Sequence, residues 1–254
     1  MKSACALALL LALTASIPVL ASDTVPASIR DAVADKSRPV ADTQRDEQRK
    51  PAETMAFAGV KPGNTVIELI PGGGYYTRLL SKAVGAKGHL YAVVPAPRPD
   101  APPDAPDRSL PIKAIVAESG YGNVNMLIQP IRTQQLPPGA DIVWTSDNYH
   151  DVKNVQGLDI SVFNKSVFDA LKPGGVYVIV DHAAAADAPA DVTSTLHRIR
   201  ADTVKQDLLA AGFVLDSQTD ILHNTTDAHD LPVFDAAVRG KTDQFILKFR
   251  KPKK

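Results

Sequence analysis

Val66-Ile67-Glu68-Leu69-Ile70-Pro71-Gly72-Gly73-Gly74-Tyr75-Tyr76 is the stretch that decides the fold. A short apolar run breaks at Pro71 into three consecutive glycines, and a helical pattern opens at Tyr76 and runs to Val84. This is a buried strand, a tight turn and a helix in immediate succession. Glu68 is the only charged residue of the strand. A carboxylate there accepts hydrogen bonds from hydroxyls or an amine, and the glycines let backbone approach a ligand closely. A glycine turn alone serves many ordinary bends, so its place directly after the first buried strand carries the argument.

Downstream, four more apolar runs follow the same rhythm: His89–Val94, Val124–Ile128, Asp141–Thr145 and Val176–Val180. Runs this short, apolar on both faces, predict a parallel sheet buried between two helix layers. Helices are predicted at Ile112–Glu118, Ile160–Leu171 and Asp202–Ala211, with Val162, Phe163, Val167 and Leu171 as the apolar face of the second. Phe213–Ile221 and Gln244–Arg250 have no clear helix between them and predict an antiparallel pair at one edge. Pro95–Pro111 holds seven of the chain's 20 prolines and predicts a stiff extended loop. Residues 222–243 form a second long irregular segment; each of the two is either a lid or a plain surface insertion.

Upstream, residues 22–59 are polar and helix-prone, punctuated by Pro26, Pro39 and Pro51, and predict two or three short helices before a domain spanning 60–254. Arg45, Asp46, Arg49 and Lys50 fit a solvated helix face. Residues 1–21 have Lys2, an apolar run from Ala4 to Ala15, Pro18 and small or branched residues at Val19 and Ala21. That is the pattern of a signal peptide cleaved after Ala21, with the remainder periplasmic or secreted, and the run is too short for a stable membrane span. The one cysteine, Cys5, falls inside it, which excludes disulfide and thiolate chemistry from the exported chain. With 28 basic and 28 acidic residues there is no global field to attract nucleic acid.

In this order the segments resemble the class I S-adenosylmethionine-dependent methyltransferases, in the bacterial branch that carries export signals. The resemblance rests on Gly59-Val60-Lys61-Pro62-Gly63, the Glu68 to Gly74 loop, Ala140-Asp141-Ile142-Val143, Leu171-Lys172-Pro173-Gly174-Gly175 and the closing strand pair. It implies an α/β Rossmann-like methyltransferase fold, a mostly parallel seven-stranded sheet with an antiparallel C-terminal strand and helices on both faces. It also implies S-adenosylmethionine as cofactor, bound by Glu68, Gly72, Gly73, Gly74, Asp147 and Asn148, and a small-molecule methyl acceptor. Three places depart from the family pattern. Ile70 stands where the first glycine is usual, the second strand ends Val93-Val94-Pro95 without the acid that binds ribose, and the third ends Ile128-Gln129-Pro130 without the acid near adenine. A missing carboxylate of this kind removes about 1.5–3 kcal/mol of charge-assisted hydrogen bonding.

Two polar clusters close the strands that would face the acceptor: Ser146-Asp147-Asn148-Tyr149-His150-Asp151 and Asp181-His182. His150 or His182 is the expected general base, with Asp151 and Asp181 orienting base or substrate. Helix capping is the bland role for the two acids. His197 reads as a packing histidine, and no fixed metal-ligand spacing is present. Two other functions stand beside methyl transfer: an exported binding or accessory protein of the same fold, and a metal-dependent hydrolase or lyase using the His/Asp rim.

Overall fold

The computed structural model describes residues 25–98, 101–102 and 104–253; the predicted signal segment lies outside them. Among the described residues seven strands form one sheet: β1 (Thr65–Leu69), β2 (His89–Pro95), β3 (Val124–Gln129), β4 (Ala140–Ser146), β5 (Leu171–His182), β6 (Val214–Thr219) and β7 (Gln244–Arg250), in the order β3-β2-β1-β4-β5-β7-β6. All neighbours pair parallel except β7, which is antiparallel to both β5 and β6. The chain runs outward from β1 to β3 and returns to start again at β4, so the switch point lies between the carboxyl ends of β1 and β4. In sheets of this kind the ligand crevice opens at that point.

Ten α-helices among the described residues flank the sheet: α1 (Ala27–Val33), α2 (Val40–Thr43), α3 (Asp46–Arg49), α4 (Pro51–Ala58), α5 (Tyr75–Val84), α6 (Leu110–Ala117), α7 (Tyr149–Lys153), α8 (Ile160–Ala170), α9 (Val192–Thr195) and α10 (Ala201–Ala210). Alternation along the strands divides the core. Val66, Trp144, Val178 and Ile246 pack with α1, α4, α5 and α6, while Ile67, Val143, Tyr177 and Phe249 pack with α7, α8 and α10. On α8 the buried apolar positions are Phe163, Val167 and Ala170. Val162, expected on the same face, is 53% exposed, because one residue turns a helix by about 100° and Phe163 takes the core.

The amino-terminal helices are tied to the sheet by charge as well as by apolar contact. Arg38 makes a two-pronged contact with Asp46, which also accepts from the Tyr75 hydroxyl, and Arg78 reaches Asp42. Lys248 of β7 donates to the carbonyl of Phe57. These contacts lay α2 and α3 over the glycine turn. Among the described residues no helix is long and apolar enough to cross a membrane.

Candidate functional site

At the switch point a cavity of about 180 Å³ is lined by Arg45, Arg49, Glu68, Ile70, Pro71, Gly72, Gly73, Tyr76, Ser146, Asp147 and Asn148, among others. The turn that frames it is strained. Ile70 has φ 54°, a left-handed conformation that costs a β-branched residue on the order of 1–3 kcal/mol. A backbone conformation that glycine adopts freely is here carried by an isoleucine. The Ile70 amide donates to Val93 and its carbonyl accepts from Asn148, which fastens the strained residue to both neighbouring strands.

The three glycines do different work. Gly72 and Gly73 line the cavity, and a Cβ at either would meet nothing within 4 Å. Gly74 faces inward: it precedes the first turn of α5 at φ 83°, and a Cβ there would sit 2.2 Å from Ile115 Cδ1. It shapes the turn without lining the cavity.

Glu68 is buried, and the Thr77 hydroxyl donates to it at 2.6 Å. Burial pushes its carboxyl up to about 7, the Thr77 bond only partly opposing that. Asp147, also in a left-handed conformation at φ 59°, accepts from Arg49 at 2.6 Å and from Gln244 at 2.6 Å. Burial alone would raise its pKa, but Arg49 and His182 outweigh that and hold it below the usual carboxylate range. Arg49 also lies over the Tyr75 and Tyr76 rings, and Arg45 over Tyr75. Arg49 therefore leaves the solvated face expected of this segment, while Arg45 stays exposed at the edge of the cavity. They form the cationic roof of the cavity, with Arg49 only 18% exposed. The Ser146 hydroxyl, which lines the same space, is buried without a hydrogen-bond partner among the described residues. On the far side of Ile70 a small apolar recess of about 10 Å³ is formed by Leu69, Val93, Pro95 and Ile131, with Gln129 and Gln134 at its edge.

The second cluster lies beyond Asp147. Asp181, fully buried, accepts from His150 Nδ1 at 2.7 Å, from the His150 amide at 2.9 Å and from the His182 amide at 2.8 Å, so it both caps α7 and fixes the His150 ring. For His150 burial works against the charged ring, yet Asp181 overrides it and raises the pKa. Burial lowers that of His182, whose Nδ1 meets the Thr242 hydroxyl at 2.7 Å. Adjacent imidazoles are thus pushed in opposite directions, the arrangement that separates acid from base roles. His197, expected to be packing, sits at the rim with Nδ1 3.1 Å from Asp151.

No family model and no curated protein matches the sequence; the likeness to known proteins is one of structure. A SAM-dependent methyltransferase from Aquifex aeolicus superposes with a TM-score of 0.59 at 20% identity, over 85% of this chain and 100% of that one. The chain has the class I methyltransferase fold. The methyltransferase fold is shared by Aeropyrum pernix fibrillarin with natively bound S-adenosyl-L-methionine (TM-score 0.50, 14% identity, 78% of this chain and 73% of that one). It is also the architecture of the [4+2]-cyclase SpnF (0.59, 16%, 84% and 82%). In the methyltransferase fold of this chain, Glu68 and the glycine turn fall at the switch point where the sequence resemblance placed them.

Proposed function

We propose that this chain is an exported S-adenosylmethionine-dependent methyltransferase of a small-molecule acceptor. The observation that carries this reading is the switch-point cavity itself: open glycine backbone, a cationic roof and an unpartnered hydroxyl meet in one space. These groups fit an amino-acid nucleoside. Arg45 and Arg49 suit its carboxylate, Glu68 and the Ser146 hydroxyl its amine and hydroxyls, and Gly72 and Gly73 allow close backbone approach. When bound, this cofactor supplies an electrophilic methyl group on a sulfonium sulfur.

The chain's own part is to hold the acceptor and take its proton. His182 lies between Asp147 and His150, is kept neutral by burial, and has Nδ1 engaged with Thr242, which leaves Nε2 to accept a proton as general base. Asp181 and His150 form a fixed hydrogen-bonded pair behind it, and Asp147 and Asn148 join the cofactor cavity to this rim.

Calorimetric titration with S-adenosylmethionine and S-adenosylhomocysteine tests the reading. Saturable binding that weakens in Arg49→Ala is expected, and no binding at millimolar ligand overturns it. One observation favours a second reading, ligand binding without methyl transfer: β2 ends at Pro95 in an apolar recess, with no acid for ribose. Methyl transfer by the purified chain to any acceptor of a small-molecule panel would remove that alternative.

A further inference from the structure

His150, Asp151 and His197 converge at the rim with their ligand atoms all within 4.8 Å of one another. None of the three lines the switch-point cavity. We propose that His150 Nε2, the Asp151 carboxylate and His197 Nδ1 bind a divalent first-row transition-metal ion.

The distances fit. His150 Nε2 is 3.4 Å and His197 Nδ1 3.1 Å from the same Asp151 oxygen. Ligands about 2.1 Å from a shared ion lie about 3.0 Å apart in octahedral and about 3.4 Å apart in tetrahedral geometry. The remaining edge, between the two imidazoles, closes by rotation of His197, whose side chain is 32% exposed. Two imidazoles and one carboxylate select zinc, iron, cobalt or nickel over magnesium or calcium.

The surroundings are also those of a metal site. Asp181 holds His150 Nδ1 at 2.7 Å from full burial, so Nε2 is the ring nitrogen aimed at Asp151. A buried carboxylate behind a ligating histidine fixes its tautomer and strengthens it as a ligand. The backbone of His197 is left-handed at φ 54° and is anchored through its neighbour, which leaves the side chain free to turn. Next to it, fully buried Arg198 makes a two-pronged pair with Asp227 and donates to the carbonyls of Ala183 and Leu231. Asp151 remains half exposed and Phe234 walls one side of His197. An ion held by three side chains on one face keeps positions open to solvent for an oxygen of a small molecule.

The test uses the tag-free full-length chain, stripped with chelator and free of nucleoside, titrated with cobalt(II) and followed by visible absorption, with zinc competition by calorimetry. One equivalent per chain is expected. Asp151→Ala and His197→Ala, both at partly exposed positions, are each expected to weaken cobalt binding by about tenfold or more, the scale on which even outer-shell partners act. His223→Ala and His229→Ala, which alter the separate pair of histidines on Asp243, are expected to leave it unchanged. If the wild-type chain gives no saturable cobalt signal, or if the signal survives both rim variants or is lost in the Asp243-side variants instead, the proposal is overturned. Because no cofactor is present, the outcome is independent of nucleoside binding.

Discussion

Arg49 donates to Asp147 at 2.6 Å across 98 residues of sequence, joining the helices before the sheet to the end of β4. Both side chains are 18% exposed, so the pair is shielded enough to matter, and the second side-chain donor to Asp147 is the neutral amide of Gln244. Arg49→Ala leaves a mostly buried carboxylate without its charged partner, at a cost of about 1.5–3 kcal/mol. Urea unfolding of Arg49→Ala, Asp147→Asn and the double variant measures it. The double variant is expected to be more stable than Arg49→Ala alone, since the uncompensated charge is gone. Equal stability of the two would show that the pair contributes nothing.

Glu68 makes stability depend on pH in an unusual direction. Its carboxyl is raised in the fold from the ordinary 4.5 to about 7, so between those values the folded chain holds a proton that the unfolded chain has lost. The stabilisation is present in full below about 4.5 and is lost as pH rises through 7, an effect of about 3 kcal/mol. Glu68→Gln keeps an oxygen to accept from Thr77 and removes the titration. The variant is expected to match wild type near pH 5 and exceed it at pH 8 in urea midpoint; parallel pH profiles would refute this.

Ile70 divides the switch-point cavity from the apolar recess beside it, since it lines both. Ile70→Gly relieves left-handed strain of about 1–3 kcal/mol but gives up apolar contact and adds unfolded-chain freedom of similar total size. Stability should change by less than about 1 kcal/mol while the two spaces merge. Tighter S-adenosylhomocysteine binding is the expected result, read by calorimetry. Weaker binding at unchanged stability would mean that the isoleucine contacts the ligand.

Gly73 and Gly74 are adjacent and should behave oppositely. Gly74→Ala drives a methyl into Ile115 at a left-handed position, and a loss of about 2–4 kcal/mol is expected in thermal unfolding. Gly73→Ala meets open space and has no left-handed backbone, so its stability should stay within about 0.5 kcal/mol and only nucleoside affinity should fall.

The sheet was legible because burial on both faces leaves a direct trace: Thr65–Ile70 and Val176–Val180 admit few charges, and Glu68 stands out as the exception. The cavity roof was not legible. Arg45 and Arg49 lie at the two ends of a short polar segment whose composition is the same whether it faces water or a pocket, and the partner that decides for Arg49, Asp147, arrives 98 residues later. His197 was hidden for the same reason, its partner Asp151 being 46 residues away on α7. Gly74 shows the converse. Its residue type announced a turn, but which of three glycines faces a ligand depends on the approach of Ile115 from α6. Val162 and Phe163 differ by one position, and apolar spacing alone did not choose between them.

The last strand has a consequence for how the molecule is made. β7 enters the sheet between β5 and β6, and through Gln244 and Lys248 it braces both Asp147 and the carbonyl of Phe57. The first helices and the last strand therefore hold the same cavity from opposite ends of the chain. A nascent polypeptide can form β1 to β4 early, yet Asp147 gains its second side-chain donor only when Gln244 has been made and has docked. Such pairings between distant segments are slow to form. Until that last strand docks, Asp147 lacks its Gln244 brace, so the final polish of the pocket belongs to the last residues of the chain to be made.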